Sequence, residues 1–147
     1  MQKQPPLYEL DTVAWANESA SLLREHRFDE LDIEHLIEEL EDMGKSERRA
    51  LESHLVILLM HLLKWQYQTG LRSNSWKLSV ANARQSIEDI LHDSPSLTPK
   101  LQEPEFIGRA YSKARRFAAI ETGFDVSAFP GNCQYMTEQL QADWLPS

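Results

Sequence analysis

The chain has 147 residues, 41% of them apolar and 26% charged, with a net charge of −8. That length suits one domain with a genuine core, and the acidic balance argues against a general binder of nucleic acid or anionic membranes. The single cysteine, Cys133, excludes an intrachain disulfide and a cysteine-based zinc site.

The charge is unevenly placed. Residues 1–50 hold 6 Lys/Arg and 13 Asp/Glu, whereas residues 51–147 hold 9 and 10. The start, Met1 to Pro6, has no apolar signal region, and the apolar run 55–63 is too short to span a bilayer. The expectation is a soluble, cytoplasmic protein in a reducing setting, with no membrane association.

Residues 1–9 read as a flexible arm, followed by a single domain over 10–147. Asp11 is placed to cap a first helix at about 12–26, whose inward face is Trp15, Ser19, Leu22 and Leu23. Asp32 caps a second helix at about 33–43. Ile33, Leu36, Ile37, Leu40 and Met43 form its apolar stripe, expected to face the core, while Glu34, Glu38, Glu41 and Asp42 face out. Gly44 ends or loosens this helix, and Ser46 can cap the next. Residues 32–68 form either two helices or one long rod; the pattern fits both.

The most apolar stretch runs from His54 to Trp65. At about 100° per residue His54, Leu58, His61 and Trp65 fall in one line, and Leu55, Val56, Leu59 and Leu63 cover the far side. A helix apolar nearly all round is enclosed on several sides. Each buried Leu, Ile or Val contributes roughly 1.5–3 kcal/mol, so this helix should supply much of the core. A fourth helix at about 75–92 places Trp76, Val80, Ala83, Ile87, Ile90 and Leu91 inward. Ser94 to Pro99 is a break, with Thr98 as cap and Pro99 at the first position of a short turn. A fifth helix runs from Pro104 to Thr122 and stops at Gly123. A short last helix covers about 135–142. No segment alternates like a strand. The fold class is all-α: a single-domain helical bundle of about five helices plus a short C-terminal one.

Several patterns along this chain go together. They are Tyr8-x-x-Asp11-x-x-x-Trp15, Leu31-Asp32, Glu38-Glu39-Leu40, His61-Leu62-Leu63-Lys64-Trp65, Trp76, Arg84, Pro95-Ser96-Leu97, Tyr111-x-x-Ala114-Arg115 and Leu145-Pro146. In this order and spacing the chain resembles the bacterial domain-of-unknown-function family numbered twenty-nine, from about Tyr8 to Pro146. The resemblance implies an all-helical domain, common in cyanobacteria and proteobacteria, and brings no activity with it. One departure is Cys133-Gln134-Tyr135, where the family usually has a proline before the tyrosine.

Among chemistry-bearing residues, His54 and His61 share a face seven residues apart. With Glu39, Lys64 and Arg84 they are the candidate catalytic set, and the two histidines are the candidate metal ligands. The competing reading is a polar patch satisfied inside the fold, since buried polar groups need partners whatever the function. That structural reading carries more weight. Lys64 and Arg84 each lie one turn from an apolar stripe and are expected to meet carboxylates, Glu39 first. Asp32-x-x-His35 and Asp89-x-x-His92 only superficially match di-iron helices, because Asp32 serves as a cap and no second set of inward carboxylates accompanies them. Nucleophile elbows and glycine-rich phosphate loops are lacking, and no cofactor is expected. Arg109, Lys113 and Arg116 line one helix face, the candidate partner-binding residues. With three charges in an acidic chain, that face suits the acidic helix 34–42 of its own or a second copy better than nucleic acid. Without a complete catalytic set, the residues favour a non-catalytic protein-interaction or regulatory module over an enzyme, with a protein partner or a homo-oligomer as the contact.

Overall fold

The computed structural model describes residues 4–147. Residues 1–3 of the expected arm lie outside the described residues. The fold is all-α, and no strand occurs among the described residues. The helices are α1 (Leu7–Leu10), α2 (Thr12–Arg24), α3 (Ile33–Tyr67), α4 (Asn74–Asp93), α5 (Pro104–Thr122) and α6 (Thr137–Gln141). Short 3-10 turns join them at Phe28–Glu30, Thr69–Leu71, Pro95–Gln102 and Val126–Ala128. No helix among the described residues is long and apolar enough to cross a membrane. Contacts group the chain into two compact units, residues 1–45 and 46–147.

In the first unit, residues 7–9 of the expected arm form helix α1 together with Leu10. Asp11 caps α2 as its position requires, its carboxylate accepting the Ala14 amide at 3.0 Å. That helix ends at Arg24, short of its expected end near His26. His26 adopts φ 58°. The His26 amide then bonds the Leu23 carbonyl at 3.2 Å and the Arg27 amide bonds that of Leu22 at 2.9 Å, the paired closure of a Schellman motif. Glycine is the usual residue there, so a histidine conceals the stop.

Helix α3 settles the question left open over 32–68: Ile33 to Tyr67 is one helix, passing through Gly44. Ser46, the expected cap, lies inside it. A central glycine costs about 1 kcal/mol relative to alanine, and helical residues on both sides carry the helix through.

The second unit holds the main core. Leu51, Leu55, Leu58, Leu59 and Leu62 of α3 are fully enclosed, with Val80, Ala83 and Ile87 from α4. From α5 come Phe106, Tyr111, Ala110, Ala114 and Ala118. The three alanines recur every four residues with no exposure, which permits close approach of the helix backbone. Gly123 ends α5 at φ 75°, its amide bonding the Ala119 carbonyl at 2.9 Å; a side chain there would be strained. The C-terminal segment is pinned by polar groups. The Tyr111 hydroxyl donates to the Pro130 carbonyl at 2.5 Å, Arg115 to that of Phe129, and the Thr137 hydroxyl to that of Leu101 at 2.9 Å. Burial pushes the Tyr111 hydroxyl up to about 12.

Candidate interaction surface

Residue periodicity places the apolar stripe of the first third of α3 toward a core. The structure turns it the other way. Ile33 and Ile37 are 50% exposed, Leu40 65% and Met43 66%. His35, Leu36 and Glu39 are half-buried instead. Two side chains explain the inversion. Tyr8 stacks on the His35 ring, centroids 4.0 Å apart and planes 15° from parallel, and Trp15 meets Tyr8 edge-on at 4.9 Å. The Tyr8 hydroxyl donates to Glu39 at 2.5 Å, which pushes its pKa up to about 12. An aromatic cluster tied to one carboxylate therefore selects the inner face of α3, and the aliphatic side chains are left outside.

Asp32 has a double role that its position as a cap obscures. One carboxylate oxygen accepts the His35 amide at 3.3 Å and the other pairs with His35 Nδ1. The hydrogen bond and charge of Asp32 raise the His35 pKa, and His35 lowers that of Asp32. A histidine pKa raised on folding adds stability that is complete below its unfolded value and lost as pH rises through the folded value. A carboxylate pKa lowered on folding adds stability present above its unfolded value and lost as pH falls through the folded one. The pair is therefore most stabilising between roughly pH 4 and 6.5, the unperturbed carboxylate and imidazole values. Replacing His35 with Gln should flatten the rise of unfolding temperature on going from pH 8 to pH 6. An unchanged slope in a pH series of thermal melts would refute this coupling.

Four of the candidate catalytic and metal-binding residues, Glu39, His61, Lys64 and Arg84, have separate local partners. The Glu39 carboxylate accepts Tyr8. His54 is half-buried on α3. His61 Nδ1 lies 2.9 Å from the Ile57 carbonyl; a carbonyl only accepts, so this nitrogen carries a proton. Lys64 finds its carboxylate in Glu121, at 2.5 Å, and lies 4.7 Å from the centre of the Trp76 ring. Arg84 donates to the Leu140 and Gln139 carbonyls at 3.1 and 2.8 Å, where it satisfies acceptors of the last short helix. Burial lowers the Arg84 pKa, opposed by the charge of Asp143. Among the described residues no group of three or more His, Cys, Asp or Glu is placed to hold a metal ion. Trp65 and Trp76, read as core, are half-buried beneath cations: Arg72 and Lys77 lie 4.9 and 5.6 Å from Trp65. A charged side chain over the ring does what a second apolar layer would otherwise do. Trp15 is buried, and Trp144 is half-buried edge-on against Tyr135.

One of the candidate partner-binding residues, Lys113, lines an apolar cleft in the second unit, and Arg109 and Arg116 lie on the same helix. Arg109 and Arg116 are exposed, and Lys113 donates to Glu52 at 3.3 Å. The cleft, about 300 Å³, is lined by Val56, Ile57 and Met60 of α3 and by Phe117 of α5, with the Glu52–Lys113 pair at its margin. Ile57 and Phe117 remain 39% and 40% exposed, and the Arg116 guanidinium lies 5.4 Å from the Phe117 ring centre. Sequence reasoning found the cations but not the apolar floor beside them, because the apolar run 54–65 reads as a helix enclosed on several sides.

The molecule so defined is an all-α protein whose first unit presents an aliphatic face flanked on one side by acids. The chain belongs to the family described as domain of unknown function DUF29, whose model matches residues 7–145. No curated protein and no solved structure matches it.

Proposed function

We propose that the protein is a non-catalytic, cytoplasmic bacterial helical module that works by protein–protein contact, through the face of α3 between Ile33 and Met43. One observation carries this reading: four large aliphatic side chains at helical spacing are each half or more exposed. Contiguous apolar patches rimmed by polar groups mark interaction sites. Glu34, Glu38 and Glu41 flank this stripe on one side, so it offers an apolar centre with a charged rim, the anatomy of a helix-in-groove ligand. The scattered partners of His61, Glu39, Lys64 and Arg84 support a structural role for those side chains rather than a shared reaction centre.

Affinity capture from the native cell tests the reading, with wild-type, Ile37→Gln/Leu40→Gln and Arg109→Ala/Arg116→Ala baits. Glutamine keeps helix propensity and removes only the apolar contact. Loss of all specific partners, further copies of the chain included, is expected with the first variant. Retention of every partner by that variant would refute the reading.

A further inference from the structure

The two outlying surfaces of this chain complement one another. The donor face is an acidic amphipathic helix: Ile33, Ile37 and Leu40 project to solvent, with Glu34, Glu38 and Glu41 alongside. The acceptor is a cleft between helices, its floor Val56, Ile57, Met60 and Phe117. Exposed arginines lie on both helices that form it. Arg109 and Arg116 lie on the exposed side of α5, and Arg49, on the same α3 face as Ser53 and Val56, is exposed as well. The one carboxylate in the lining, Glu52, is already engaged by Lys113. Apolar matches apolar and acid matches base, in a chain whose net charge is concentrated in residues 1–50.

Resting on the reading above, we propose that the occupant of the cleft is a second copy of this chain. The face Ile33–Leu40 of one copy lies in the Val56/Ile57/Met60/Phe117 cleft of another, with Glu34, Glu38 and Glu41 set against Arg49, Arg109 and Arg116. The contact is heterologous, because donor and acceptor are different surfaces. A pair of copies closes it twice when the rotation allows; otherwise the contact propagates. Charge sets the register and the on-rate, and the aliphatic side chains supply the desolvated centre.

The mass of the full chain, measured by sedimentation equilibrium over a wide concentration range, tests this. Three charge-reversed forms are compared with the wild type: Glu34→Lys/Glu41→Lys, Arg109→Glu/Arg116→Glu, and all four changes in one chain. These positions are exposed, so each form should fold, and circular dichroism checks that it does. The wild type is expected to associate with concentration. Each two-site form alone should dissociate at least about tenfold more readily, since like charges are juxtaposed. Mixing the two, or combining the four changes, should restore association. A wild type that stays monomeric throughout overturns the proposal, and so does a four-site form that fails to recover. The reading of α3 as a contact face stands or falls separately, on whether Ile37→Gln/Leu40→Gln loses captured partners.

Discussion

Leu58→Ala should lower the free energy of unfolding by about 3–4 kcal/mol. Leu58 has no exposed surface and sits on α3 among Leu55, Leu59 and Leu62. Truncation removes the transfer free energy of the lost carbons and leaves a cavity in the second unit. The adjacent Ile57 is the control. It is 39% exposed, and Ile57→Ala should cost less than about 1.5 kcal/mol, part of that offset by alanine's helix propensity. Urea denaturation of both variants measures the difference. Equal losses at the two positions would mean that the enclosed line of α3 has been wrongly assigned.

Glu121→Ala should destabilise the protein by about 1–2 kcal/mol, whereas Lys64→Met should be close to neutral. The Lys64 side chain is 8% exposed and that of Glu121 48%. Removing the carboxylate leaves a sequestered ammonium with only the Trp76 face for company. Because Glu121 is half in water, the loss falls short of that for a fully enclosed pair. Methionine keeps the length and apolar stem of lysine, retains contact with the Trp76 ring, and needs no counter-charge. In the Lys64→Met background, removing the Glu121 carboxylate should cost almost nothing. A double-mutant cycle on urea midpoints reads this directly, and additive losses would contradict the coupling of Lys64 to Glu121.

How far the sequence spoke for the structure depends on the element. Helix α5 is legible from Pro104 to Gly123, since a proline start, an alanine-rich inward face and a glycine stop all agree. The apolar run of α3 from Leu51 to Leu63 is legible because nearly every side of it is aliphatic. The end of α2 is not, because His26 does the work of a glycine there. The orientation of α3 from Ile33 to Met43 is inverted for a deeper reason. Periodicity identifies the apolar face of a helix but not what covers it. In this unit the Tyr8–His35–Trp15 cluster with Glu39 supplies an inner face that hydropathy cannot see. The same limitation applies to Lys64. Its need for a carboxylate follows from the apolar residues around it, but the choice of Glu121, fifty-seven residues away, belongs to tertiary structure. Asp32-x-x-His35 is visible as a spacing, and its simpler meaning is a cap that also holds a ring.

The proposed contact face depends above all on the aliphatic side chains at 37 and 40 being surplus to folding and reserved for a partner. The most direct measurement is the unfolding free energy of Ile37→Gln/Leu40→Gln against wild type, at concentrations dilute enough that association adds nothing. The expected result is a difference within about 0.5 kcal/mol, the range for exposed surface changes. A loss of about 2 kcal/mol or more, the scale of a buried aliphatic side chain, would show that these residues are buried in the isolated fold, and the proposed contact face would go with them.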